Sequence, residues 1–132
     1  MTKILQPAEW PRPRGFSNGM SMAGPGRWIL VSGQIGSNGE GPISDDMAEQ
    51  TAQALRNVVR VLAEDGARPE HLVRLVWYVT SRAEYLAAGA AIGAAWREVI
   101  GKHFPTMTLL VVSGLLNEKA KVEIEAQAFV GE

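Results

Sequence analysis

No cysteine occurs among the 132 residues of the chain. That absence excludes a disulfide framework, a thiolate zinc site, an iron–sulfur cluster and a cysteine nucleophile, and it fits a reducing cytoplasm. Histidine is nearly as scarce. His71 and His103 are the only two, and neither has a neighbour at metal-ligand spacing, so no zinc or non-haem iron site is expected. Charge of one sign is also missing: 13 Lys and Arg against 14 Asp and Glu leave a net charge of -1. Basic residues dispersed among acidic ones create no field that would hold a phosphate backbone, so no nucleic-acid partner is expected. No apolar run reaches the roughly 18 residues of a membrane span, and the N-terminus lacks a basic stretch leading into an apolar core. The glycines at 33, 36 and 39 have the wrong spacing for a dinucleotide or phosphate loop. Ser32 sits in Val-Ser-Gly-Gln rather than in a nucleophile elbow. What remains is one soluble cytoplasmic domain over residues 1–132, without a membrane partner.

The pattern of what is present gives the architecture. Four prolines and four glycines in the first 26 residues predict loop and short edge strands. Arg27 to Ile35 is a β-branched and aromatic strand closed by a glycine-rich turn. Met47, Thr51, Leu55, Val58 and Leu62 then fall at helical spacing, with Asp46 and Glu49 at its start and Gly66 after its end. His71 to Thr80 is apolar at nearly every position, as in a strand covered on both faces. Ser81 and Glu84 open a second helix that stops near Gly101, and within it Gly89 and Gly93 form a small face suited to close packing. Met107 to Val112 is another apolar strand, and Val122 to Phe129 alternates so that Glu123 and Glu125 share one face. This order predicts two right-handed β-α-β crossovers with parallel pairs, in an α+β or α/β domain with one mixed sheet. Two helices cover only one face of such a sheet. Identical subunits are therefore expected to cover the other, leaving clefts at their boundaries.

Several segments, in this order, resemble the Rid family of reactive intermediate deaminases, the YjgF-like or L-PSP endoribonuclease-like proteins. They are Val31-Ser32-Gly33-Gln34-Ile35, Gln50 to Val58, Leu62 to Ala67, Tyr78-Val79-Thr80 and Val122 to Ala126. The resemblance spans nearly the whole chain. It implies the α+β chorismate-mutase-like fold, with a mixed β-sheet, two helices on one face and a homotrimer whose ligand clefts lie between subunits. It also implies hydrolysis of enamines and imines to a carbonyl compound and ammonia, with no metal or organic cofactor.

The chain departs from the family pattern where an arginine usually meets the substrate carboxylate. The run here is Phe104-Pro105-Thr106-Met107-Thr108, so Met107 stands in the arginine's place. A thioether offers polarizable apolar surface and none of the bidentate donors of a guanidinium. Absence of such a clamp in a partly buried cleft costs about 2 to 5 kcal/mol, so small carboxylate-bearing imines should be handled poorly unless Arg14, Arg27 or Arg74 compensates. Phe16 replaces a frequent tyrosine, and Gly89 a frequent asparagine of the cleft. From the resemblance, Glu123 is the expected catalytic residue, activating water. Gly33 and Leu109 would present backbone groups to the ligand, and Phe16 and Met107 would line an apolar pocket. Trp28, Trp77 and Trp96 are expected in core or interface, while Trp10 would edge the cleft.

Three functions follow from these residues. The first is a Rid-type deaminase with altered substrate preference. The second is a non-catalytic homotrimer that binds a small molecule. An endoribonuclease is the weakest, because no basic, aromatic-interleaved surface run accompanies the neutral charge balance.

Overall fold

A computed structural model describes residues 2–132. Strands β1 (Thr2–Leu5) and β2 (Gly19–Met22) pair antiparallel as a small separate ribbon. The main sheet is built from β3 (Gly26–Ile35), β4 (Leu72–Val79), β5 (Thr106–Val111) and β6 (Val122–Gly131), in the spatial order β3-β6-β4-β5. Helices α1 (Met47–Ala63) and α3 (Gly89–Val99) supply buried residues to the core on one face, while the short α2 (Arg82–Ala87) buries none and packs Tyr85 against it.

α1 forms as its periodicity predicts. Met47, Thr51, Leu55, Val58 and Leu62 are all buried, and each fully buried leucine contributes about 1.5 to 3 kcal/mol. Asp46 caps the helix by accepting a hydrogen bond from the Glu49 backbone N–H at 2.9 Å. Asp46 and Glu49 have the spacing of a capping box, but the Glu49 carboxylate accepts from the Ser44 hydroxyl rather than from the Asp46 N–H. Gly66 follows the helix at φ 72°, a backbone conformation that costs glycine no Cβ clash.

Two features of the predicted topology are corrected. β4 and β5 form the expected parallel pair, but β3 and β4 do not touch, because β6 runs antiparallel between them. The reason lies in β6 itself. Val122, Ile124, Ala126 and Ala128 are buried and extend the core beneath α1, while both edges of the strand take ladders. The second predicted helix is also two helices, broken at Ala88 (φ -90°, ψ 6°) just before Gly89. Glycine is about 1 kcal/mol worse than alanine in a helix interior, which favours a break there.

The other sheet face carries no helix. Arg74, Val76 and Tyr78 of β4 alternate onto it, as do Glu123, Glu125 and Gln127 of β6. β5 is an edge strand, and its Leu109, Leu110 and Val111 are exposed. At the far edge Leu30 is 70% exposed, and Trp28 stands half exposed against Phe129 with ring centroids 5.1 Å apart. By register, Leu30, Trp28 and Phe129 lie on the open face at one edge and Leu110 at the other, whereas Leu109 and Val111 point to the helix side.

Buried Gln50 ties the loop before β6 to α1. Its Nε2 donates to the carbonyls of Ser44 (2.7 Å) and Lys119 (2.9 Å), and its Oε1 accepts from the Lys121 N–H at 2.8 Å. Three satisfied bonds on a fully buried amide fix where β6 starts, and so where Glu123 stands.

Candidate functional site

A concavity of about 690 Å³ lies on the helix side of β5. β-Alternation sends Met107 and Leu109 into it, since their register partners on β4 are the core residues Leu75 and Trp77. Phe16 enters from the N-terminal segment, which is pinned when the Ser17 N–H donates to the Pro105 carbonyl at 3.1 Å. The Ser17 hydroxyl adds a bond to the Phe104 carbonyl, so Phe16 and Phe104 come together at the cavity wall. Trp77 and Trp96, 6.2 Å apart between ring centroids, close the floor. Both are core residues, as the sequence predicts.

The tight packing predicted at Gly89 and Gly93 does not occur. A Cβ on Gly89 would meet nothing within 4 Å, and one on Gly93 would meet only Arg97 Nη1 at 3.6 Å. Both glycines border the cavity and enlarge it. Tyr85 completes this wall, and burial raises its hydroxyl pKa above the ordinary tyrosine value.

Gly33 and Glu123 lie elsewhere. They share a second concavity of about 430 Å³ on the open face with Tyr78, Glu125 and the Leu115-Leu116 segment. Gly33 belongs to a β-bulge where the β3 register shifts between Val31 and Gln34. Glu123 packs its carboxyl end over that glycine. The two glutamates differ in what they touch. Glu125 accepts a hydrogen bond from the Tyr78 hydroxyl at 2.6 Å, and that bond raises the Tyr78 pKa. Glu123 makes no side-chain hydrogen bond or ion pair with another described residue.

The five expected site residues therefore divide into two groups. Phe16, Met107 and Leu109 meet in one concavity, and Gly33 and Glu123 meet in another, on opposite faces of one sheet.

Of the three arginines expected to compensate if Met107 stands in an arginine's place, Arg14 lines the large cavity. Arg27 is held by Asp65 at 2.8 Å, and Arg74 stands exposed on the open face. Arg97, which sequence reasoning missed, also borders the cavity. Its signal was available: it sits one helical turn beyond Gly93 on the small face. Trp10 is exposed and takes no part in the cavity wall.

Both histidines serve the fold. His71 Nδ1 accepts from the Arg68 N–H at 2.9 Å, and His103 Nε2 donates to the Leu72 carbonyl at 2.7 Å. No group of three or more His, Cys, Asp or Glu positioned to hold a metal occurs among the described residues. No helix among them is long and apolar enough to cross a membrane.

Known proteins share this fold. The family model described as Endoribonuclease L-PSP matches residues 12–130. A RutC family protein of Aquifex aeolicus is 30% identical over 101 residues, covering 75% of this chain and 79% of its own. The crystal structure of YyfB from Yersinia pestis, a Rid family protein of unknown function, is 29% identical, with 98% of each chain covered and a TM-score of 0.84. Rv2704 of Mycobacterium tuberculosis, a member of the YjgF/YER057c/UK114 family, is 31% identical with a TM-score of 0.65, covering 89% of this chain and 88% of its own. With the family model spanning almost the whole sheet and its helices, the chain belongs to the Rid family, the YjgF-like or L-PSP-type proteins.

Proposed function

We propose that the protein is a homotrimeric imine or enamine hydrolase whose clefts each combine the large cavity of one subunit with Glu123 of its neighbour. One observation carries this reading: the candidate residues stand on opposite faces of the sheet, so a single subunit does not assemble them. A closed ring of identical subunits brings one face of each chain against the other edge of the next. The exposed apolar ends of the open face, Leu30 and Leu110, supply the surface that such a ring buries.

In this cleft Glu123 is the available base, because Tyr78 already occupies Glu125. An enamine substrate first takes a proton from solvent on carbon to become an iminium. Glu123 then removes a proton from water as the oxygen bonds to the imine carbon. Glu123 returns its proton to nitrogen, the C–N bond breaks and ammonia leaves, and the hydroxyl proton passes back to solvent as the carbonyl forms. Each turnover consumes one water and restores the carboxylate. Holding water against an already electrophilic carbon requires positioning and proton transfer only.

The test is ammonia release from imines generated in situ, with wild type beside Glu123→Gln. Loss of release with the trimer intact is expected, and a variant as active as wild type overturns the assignment. A second reading, binding without turnover, is favoured by the cavity wall itself, which carries no carboxylate and no histidine. Saturable binding with no product from any imine would establish it.

A further inference from the structure

We propose that the large cavity selects a substrate with a bulky aromatic or apolar group and an anionic group. The ring would lie among Trp77, Trp96 and Phe16, and the anion would be held by Arg14 and Arg97 at the cavity's edge. The proposal rests on the hydrolase reading for what happens to the ligand, and on the cavity for what the ligand is.

Size comes first. At about 690 Å³ the cavity is well within the range of small-molecule sites and far larger than a three-carbon imine needs. Two helix positions make this room, since neither Gly89 nor Gly93 is pressed by a neighbouring element. Chemistry comes second. Met107 places a polarizable thioether beside the aromatic wall where a guanidinium would have taken up space and charge. The indole N–H of Trp77, a wall residue, is buried and has no acceptor.

Charge comes third and decides the class. Arg14 and Arg97 both border the cavity, and no Asp or Glu does. Arg14 and Arg97, like Arg12, Arg56, Arg74 and Arg82, form no ion pair among the described residues, and of these only Arg14 and Arg97 border the cavity. Arg97 folds back over the bare helix surface at Gly93, with Nη1 3.6 Å from where a Cβ would stand. Two uncompensated guanidiniums beside an aromatic cavity attract an anion, and their planar donor forks suit a carboxylate. The guanidinium that position 107 does not supply thus has counterparts at the edge of a larger chamber.

The test measures binding of 3-phenylpropanoate by calorimetry and indole fluorescence, beside its amide and beside propanoate. Wild type should bind the aromatic acid roughly tenfold or more tighter than either, as removal of a charge-assisted hydrogen bond or of ring burial predicts. Arg14→Ala with Arg97→Ala should weaken the acid by roughly 10- to 100-fold and leave the amide unchanged, while Gly93→Val should weaken both aromatic probes. Equal affinity for acid and amide, equal affinity for propanoate, or no saturable binding overturns the proposal. Turnover separates the two claims. Charge-dependent binding of the aromatic acid with no ammonia from any imine removes the hydrolase reading alone. Hydrolysis without preference for an aromatic, anionic imine removes this proposal alone.

Discussion

Glu123 lays its carboxyl group over the bare Cα of Gly33, so that a Cβ at Gly33 would stand 2.8 Å from Cδ and 2.9 Å from Oε1 of the glutamate. Gly33 does not have a positive φ, so alanine meets no backbone strain there, and the three atoms nearest its Cβ all belong to the Glu123 side chain. Gly33→Ala should leave the fold and the oligomer unchanged and lower turnover about 100-fold, the scale of a misplacement near 1 Å. Steady-state ammonia release checks this, and an alanine variant with wild-type turnover would remove Gly33 as the residue that seats Glu123.

Gln50 offers a test of the scaffold. Gln50→Leu keeps volume while stranding two carbonyls and the Lys121 N–H, all close to the start of β6. Stability should fall by about 2 to 4 kcal/mol, as expected when buried polar groups lose their partners. Denaturant unfolding reads the change, and a loss below about 0.5 kcal/mol would place the loop's anchor elsewhere.

Tyr78 gives a pH signature. Its hydrogen bond to Glu125 raises its pKa above the ordinary value of 10.0, so folding favours the neutral phenol. The stabilisation is therefore complete below that ordinary value and is lost as pH rises through the higher folded value. The chain has only two tyrosines, so Tyr85→Phe isolates Tyr78 in an ultraviolet phenolate titration. The midpoint should lie above that of free tyrosine and fall in Glu125→Gln. An unshifted midpoint would mean that the pair does not form in solution.

The open face predicts assembly. Leu30→Asp or Leu110→Asp places a carboxylate where apolar surface is proposed to be covered by a neighbouring subunit. Sedimentation should show trimeric wild type and a dissociated, folded variant, with about 3 to 5 kcal/mol lost for an unpaired charge in the interface. A trimer unaffected by both substitutions would move the interface away from this face.

Much of this architecture was legible in the sequence, because period alone distinguishes α1 from the strands and alternation alone puts Glu123 and Glu125 on one face. The position of β6 was not. A pair of β-α-β units reads as adjacent parallel strands, and nothing local to residues 122–131 says that this strand inserts between the two others. Gly89 and Gly93 misled for a related reason: small residues permit close approach, but only the packing shows whether anything approaches. At the site, the family resemblance supplied Phe16, Gly33, Met107, Leu109 and Glu123 as candidates, while their separation onto two faces is a property of register. Arg97 escaped notice because its role depends on the space left by Gly93, which helical spacing brings near but does not leave empty.

The most direct measurement of the shared-cleft claim is complementation between two inactive variants. Glu123→Gln removes the base but keeps the cavity, and Gly93→Trp fills the cavity but keeps the base. Unfolded and refolded together in equal amounts, they should form mixed trimers in which some clefts pair an open cavity with an intact Glu123. Random mixing in a closed ring predicts about one quarter of the wild-type rate of ammonia release from an aromatic 2-amino-acid imine. Mixed trimers that form, as shown by mass, yet remain as inactive as either parent would contradict a cleft built from two subunits.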